Sequence, residues 1–555
     1  MELDLLVTGA RIATMDPARP AATRLGVWRG RVAGLDEEVD GLRARRTIDF
    51  GGATVLPGFV DAHSHLAWTG MAAVLVDLSA CRTRDAVLDA IRRAADATTG
   101  TTAGDGRGEA WVDLAGYDQR PLGGHLTRDD LERAAPGRRV YVRHISGHAC
   151  LVSDAVLATV TDDEFAAHAP GVVRDATGRP TGLLEEGAMA IARARRLPYG
   201  LDEIVAAIET AGRECLAQGI TTVAEAGIVT DLAGSSPVEL AAYQVAREQG
   251  RLPVRVQAMV PAAMLRPSGA APGDGIARAI DLGLRTGLGD DRLSVGALKL
   301  WLDGGMMART AALTAPYLTT DGATGGSVGH GGTGQLAFDH DELASLILDA
   351  HRAGWQLAIH AIGDAAVDQA IAVVTAAQRA HPRPDARHRV EHGGLVRPDQ
   401  LPRLAEAGLT VVVQPTFLHA FGDDYTAIMG PERSGWMYRG RAFLDHGIAV
   451  AGSSDRPVAD GAPLRAIQFM VERASSSGAP VGPDEAVTVD EALAAYTTGS
   501  AYACRIDDVA GRLAAGTLAD LVVLGADPRE VAPSAIADIP IVATVLGGEV
   551  VHGAI

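Results

Sequence analysis

The chain has 555 residues, 47% of them hydrophobic and 21% charged, an ordinary balance for a globular protein with room for more than one domain. A formal net charge of −19 disfavours nucleic acid, whose phosphates demand basic neutralisation. The four cysteines, Cys81, Cys150, Cys215 and Cys504, are scattered with no C-x-x-C, which argues against a disulfide framework and against a thiolate metal cluster.

The N-terminus, MELDLLVTGARIATMD, carries acids early and lacks a basic segment followed by a long apolar run, so no signal peptide is expected. No apolar stretch is long enough for a membrane helix, and a cytoplasmic enzyme with no membrane partner is the expectation. Residues 1–56 read as short strands with turns: LLVTG, ARIATM, RLGVWRGRVAGL and ATVL. The last 45 residues look alike, with ADLVVLGAD and then PIVATVLGGEVVHG. Two β-rich ends around a long α/β middle predict a composite β-sandwich from residues 1–56 and 501–555, flanking a (β/α)8 barrel over 57–500.

Eight apolar runs of strand length fall in the middle. They are FVDAHSHL (59–66), GITTVAEAG (219–227), VRVQAMV (254–260), VGALKLWLDG (295–304), WQLAIHAIG (355–363), HRVEHGG (388–394), LTVVVQPTF (409–417) and GIAVAGSSD (447–455). Helical patterns precede several of them, at 202–218, 341–354 and 398–408. The gap after the first run is too long for one crossover, so residues about 79–200 are read as an insertion, with strand-like pieces EAWVDLAGYD and RRVYVRHISGHACLVS. The Gly-rich segment 322–334 reads as a mobile loop, since no G-K-[ST] or strand–helix turn makes it a phosphate cradle.

Ionisable residues sit at the C-terminal ends of these runs, where barrel enzymes place their chemistry. His63 and His65 end the first run at i and i+2, on one face of a strand, so both imidazoles can reach one metal. Lys299 interrupts the fourth run, His360 and His392 end the fifth and sixth, and Asp455 ends the eighth. Each has a plain alternative taken alone. A lone histidine is a hydrogen-bonded core residue, and Asp455 is a cap before Pro457. Lys299 is harder to dismiss, because a buried ammonium is costly unless paired or neutralised. The set, spread over five strand ends, points to a metal site.

These residues lie in motifs that run almost end to end: VLPGFVDAHSHL (55–66), LKLWLDGGMMARTAAL (298–313), AIHAIGDAAVD (358–368), RVEHGG (389–394), VVVQPTF (411–417), AVAGSSDRPV (449–458) and GRLAAGTLADLVVLGADP (511–528). In this order they resemble the amidohydrolase superfamily, in the branch that includes N-substituted formamide deformylases. The resemblance implies one or two divalent metals, Zn2+ for preference. His63 and His65 would bind one ion with Asp455, and His360 and His392 would bind the second. Lys299, carboxylated by CO2, would bridge them as a carbamate. The resemblance also implies that the insertion, about 79–200, covers the active site; His148 and Tyr117 within it resemble positions that meet substrate, and Trp68, Asp303 and Arg309 are further substrate-binding candidates. Packing for Trp68 and Tyr117, or a surface ion pair for Arg309, are the alternatives. Two departures, Asp303-Gly304-Gly305 where relatives usually read D-G-S and Glu225 where Asp is commoner, bear on substrate shape.

The expected chemistry is hydrolysis of an amide or N-substituted formamide-like C–N bond in a small molecule by metal-activated hydroxide. Asp455 would move the proton to the leaving nitrogen, with His148 or Arg309 steadying the oxyanion. GSSD offers no G-x-S-x-G elbow, so a serine nucleophile is not expected. A deaminase or an ester or lactone hydrolase on the same scaffold stays open, as does a homodimer. A non-catalytic binding or assembly protein is disfavoured by the complete ligand set.

Overall fold

The computed structural model describes residues 2–97, 111–144, 149–197, 199–228, 238–267, 278–280, 283–307, 309–318 and 332–553. All eight apolar runs contain strands of one eight-stranded parallel sheet, in sequence order. They are β1 (Phe59–Ser64), β2 (Ile220–Glu225), β3 (Arg255–Pro261), β4 (Leu293–Trp301), β5 (Leu357–Ala361), β6 (Arg389–His392), β7 (Thr410–Val413) and β8 (Val450–Gly452). Small apolar residues from β1, β2, β3, β4, β5, β7 and β8 meet in one cluster, among them Ala62, Ala224, Met259, Ala297, Ala358, Val412 and Ala451. Only a sheet curled on itself brings such distant strands together, so this is a (β/α)8 barrel. Its first and last strands are clamped at their C-terminal ends. The Asp455 N–H donates to the His63 carbonyl at 2.8 Å, and the His65 N–H donates to the Arg456 carbonyl at 3.0 Å. Asp61 adds a side-chain tie, accepting from the Ser454 N–H at 3.0 Å and from its hydroxyl at 2.5 Å.

The seventh strand is shorter than its apolar run. It stops at Val413, and Pro415 opens the helix Pro415–Ser434. Proline lacks the N–H that a helix's first turn leaves unused, so VVVQPTF is strand and helix start in one. The helix breaks again at Gly430, where φ is 78° before Pro431.

Strands of the two chain ends share a sheet. Leu521–Leu524 runs antiparallel to Thr54–Pro57, with Leu521 opposite Pro57 and Leu524 opposite Thr54. This six-stranded sheet and the four-stranded sheet containing Glu2–Thr8 enclose a core in which Leu5, Val27 and Val55 pack with Leu521, Val523 and Val545. The chain divides into two compact units: residues 1–66, 212–228 and 252–555 in one, and 67–211 and 229–251 in the other. The second unit holds the inserted segment as a six-stranded mixed sheet, which includes Val112–Tyr117, Val140–His144 and Ala149–Val152. Most of the Gly-rich segment, 322–331, lies outside the described residues.

Tight packing reaches the end of β8. A Cβ added at Gly452 would lie 2.4 Å from the ring of Tyr496, which is itself buried and donates its hydroxyl to the Ser453 carbonyl at 3.0 Å. Gly452→Ala is expected to destabilise the protein by about 1–3 kcal/mol, the usual cost of overpacking, read as a lower urea midpoint with unchanged slope.

Candidate metal centre

The motif D-A-H-S-H places Asp61 and His63 on β1, with His65 just beyond its last residue. Asp455 follows β8, and its left-handed backbone (φ 53°) is unusual for a residue with a side chain. That turn carries the carboxylate to both imidazoles, with Oδ1 3.4 Å from His63 Nε2 and 3.2 Å from His65 Nε2. Ligand atoms of His63, His65 and Asp455 all lie within 4.8 Å of one another, and all three residues are buried. Imidazole nitrogen with carboxylate oxygen is a donor set that suits zinc and similar divalent ions.

Two further histidines stand beside this group. The ring of His392 is 5.0 Å from that of His63 and 4.5 Å from that of His360. His392 is also in the left-handed region, at φ 74°, and its Nδ1 lies 2.7 Å from Gln414 Oε1. Burial, with the nearby His63 and Lys299 charges, pushes His392 down to about 3 against the opposing pull of Asp455. Burial also takes His360 well below its ordinary value. Both rings are therefore neutral and offer a lone pair to a metal. His65 behaves oppositely: burial disfavours its charge, but Asp455 and Glu225 lift it to about 9. Burial opposes ionisation of Asp455 as well, yet His63 and His65 keep it a carboxylate, well below its usual range.

Lys299 is fully buried on β4. Its Nζ has no hydrogen-bond partner among the described residues and stands 5.3 Å from the Trp301 ring centre. Burial lowers its pKa to about 8, although Glu391 and Asp455 favour the charge. An ammonium without an acceptor is a costly thing to bury, so the donor set around it fits a further group at this position.

Supporting residues that the strand-end pattern did not single out complete the centre. Glu391 Oε2 lies 2.5 Å from His63 Nδ1. Arg389 binds both oxygens of Glu391, at 2.7 and 2.8 Å, and donates to the Ala62 carbonyl at 2.7 Å. Glu225 lies 3.6 Å from His65 Nδ1 and accepts from the Leu66 N–H at 2.7 Å. The readable signal was a charged pair at i and i+2, R-V-E, which a strand places on one face.

Asp303 accepts backbone N–H groups from Ile362, Gly363 and Ala312 at 3.0, 2.7 and 2.9 Å, and Oδ1 is 3.4 Å from His360 Nε2. Burial raises its pKa to about 7. Its carboxylate thus ties the loop after β4 to that after β5. Arg309 is half-buried in that loop, at φ 54°. Trp68 is half-buried on the helix Leu66–Ala73, directly after His65. Tyr117 packs in the core of the inserted unit, and its hydroxyl accepts from the Leu126 N–H at 2.8 Å. His148 lies outside the described residues.

A parallel barrel that gathers histidines and an aspartate at its strand ends is the frame of a metal-dependent hydrolase. The comparisons with known proteins sharpen that class. The model of the amidohydrolase family matches residues 46–552, and the chain belongs to that family. It is a hydrolase of carbon–nitrogen bonds other than peptide bonds. YtcJ of Bacillus subtilis (strain 168) is 30% identical over 514 residues, covering 91% of this chain and 90% of that protein. An N-substituted formamide deformylase of Arthrobacter pascens is 30% identical over 562 residues, covering 98% and 97%. Among solved structures, an uncharacterized metal-dependent hydrolase from Pyrococcus horikoshii OT3 superposes with a TM-score of 0.75 at 25% identity, over 96% of this chain and 99% of that one. Among the described residues no helix is long and apolar enough to cross a membrane.

Glu391 orients His63 through its second ring nitrogen, so Glu391→Gln is expected to weaken metal affinity about 10–100-fold. Competition of the loaded protein with a calibrated chelator measures this, with circular dichroism checking that the fold persists.

Proposed function

We propose that the protein hydrolyses N-formyl or N-acyl derivatives of small amines, releasing a carboxylic acid and the amine. The observation that carries this reading is the buried His63, His65 and Asp455 group, whose ligand atoms lie within 4.8 Å of one another beside Lys299. The deformylase likeness, which spans 98% of the chain, supports the substrate class. His63, His65 and Asp455 would hold one divalent ion, for which zinc fits the donors best. His360 and His392 would hold a second, with Lys299 shared between them as a carbamate. Carboxylation would turn a partnerless buried cation into an anion, whose burial the divalent ions would offset.

When bound, such an ion lowers the pKa of water towards neutrality and polarises a carbonyl. The chain's own residues do the rest. Asp455 accepts the proton of the attacking water and returns it to the leaving nitrogen, which departs poorly as an amide anion. Glu391 and Glu225 hold the imidazoles of His63 and His65 in place. Arg309 and His148 are assigned to the developing oxyanion, and Trp68 to substrate recognition, whereas the buried Tyr117 is assigned to packing of the inserted unit. Asp303 acts through the two loops it joins. The four free cysteines fit a reducing compartment, and we place the enzyme in the cytoplasm.

His65→Ala is expected to lose metal and activity together, as measured by elemental analysis and turnover of a panel of N-formyl and N-acyl amines. Full activity without metal would overturn the reading. Release of ammonia alone from the panel would instead favour a deaminase. Asp455→Asn should lower amide turnover by ~10²–10⁴-fold, the range for lost general acid–base catalysis. An activated ester, which needs no protonated leaving group, should suffer less. Equal losses would move leaving-group protonation to another residue. Protein equilibrated with 13C-bicarbonate should show a carbamate carbon signal that Lys299→Met abolishes.

A further inference from the structure

At the N-terminal end of the barrel, away from the metal centre, a cavity of about 260 Å³ is lined by Arg285, Thr286, Gly354, Gln356, Arg383 and Arg505. These residues precede β4, β5 and β6 or follow the last barrel helix, so the fold gathers three guanidinium groups from distant parts of the chain. No carboxylate lines the cavity among the described residues.

Few of these donors are used within the protein. Arg383 donates to the carbonyls of His351, Trp355 and Gly354, at 2.7, 2.8 and 3.2 Å, closing the end of the helix His340–Arg352. Arg505 binds Asp385 through the carbonyl and, at 2.8 Å, the carboxylate. Arg285 has no hydrogen bond or ion pair to any described residue. A guanidinium carries five N–H donors, so all three side chains keep donors to spare. Asp385 is exposed, does not line the cavity, and is shared with Arg387 at 2.6 Å. Asp507 is likewise engaged by Arg387. The histidines beneath, His351 and His388, add no charge. His388 Nδ1 accepts from the Leu357 N–H, which leaves its Nε2 to donate to His351 Nδ1 at 2.8 Å. His351 Nε2 then donates to the His381 carbonyl at 2.6 Å. Both rings are thus neutral tautomers. Burial, then the repulsion of Arg505 and Arg285, disfavours the charge on Arg383.

The cavity also has a buried amide in its lining. Gln356 is 1% exposed and lines the cavity. Its amide N–H groups bind the carbonyls of Arg387 and Ala503, but its Oε1 has no hydrogen-bond partner. A phosphate-type oxyanion offers acceptors to the arginines beside this polar side chain.

We propose that this cavity is a binding site for a phosphate-type oxyanion, held by Arg285, Arg383 and Arg505 and independent of the hydrolytic centre. Arginine forks match phosphoryl oxygens in pairs, and about 260 Å³ far exceeds the roughly 30 Å³ share of one water molecule.

Calorimetric titration of the metal-loaded protein at low ionic strength tests this, with orthophosphate, pyrophosphate and a nucleoside triphosphate as probes. Saturable binding is expected. Arg285→Ala should weaken it at least about ten-fold, as the loss of a charge-assisted hydrogen bond does, without changing basal hydrolysis. Arg505→Gln should weaken it independently. Triphosphate binding tighter than pyrophosphate would identify a nucleotide tail as the natural ligand, and equal or weaker binding a free oxyanion. Both support the site. Absence of saturable binding, or phosphate affinity unchanged in both variants, overturns it.

Discussion

Arg389 and Glu391 stand two residues apart on β6, both fully buried, and the barrel interior around the metal centre is arranged about their ion pair. Burying two charges is costly, and only close geometry with every remaining donor engaged offsets it. That condition is met. Arg389 meets both oxygens of Glu391 and the carbonyl of Ala62, and Glu391 reaches the imidazole of His63. Burial opposes the charge on Glu391, but Arg389 and His63 hold its carboxyl well below the usual range. The permanent charge of the guanidinium thereby fixes the direction in which a histidine on a different strand presents its other nitrogen. The small side chains of the interior cluster, largely alanine, leave the width that these long polar groups occupy.

The same arrangement explains where the backbone is bent. His392 and Asp455 both adopt left-handed conformations at the ends of their strands. For residues with a Cβ this conformation costs free energy, and it persists only where the surroundings enforce it. At Asp455 they do so through the N–H bond to the His63 carbonyl and the clamp of Asp61 on Ser454. The ties that close the barrel therefore also turn the aspartate towards the histidines.

Much of this was readable from sequence, for reasons that separate cleanly. Parallel barrel strands are buried on both sides, so their apolar runs are continuous and all eight could be located. Ligand candidates stood out because histidine, lysine and aspartate interrupt those runs. Strand ends were less legible. Pro415 is compatible with the end of an apolar run and with the start of a helix, and only the packed chain decides. The supporting roles were also hidden. Nothing local in R-V-E-H says that Glu391 reaches His63 on β1, and nothing in L-D-G-G says that Asp303 is taken up by N–H groups from two loops. The arginine-lined cavity joins residues with no common motif, so it exists only at the level of topology.

The pairing of Leu521–Leu524 with Thr54–Pro57 sets an order on biosynthesis. A ribosome adds roughly 5–20 residues per second, so Thr54–Pro57 waits on the order of tens of seconds before its partner strand is made. During that interval its backbone edge and the apolar faces of Leu5, Val27 and Val55 lack the terminal strands that cover them. Nascent chains stalled late in translation therefore present an open sheet edge to the cell's chaperones. A strand made late thus covers a strand made early.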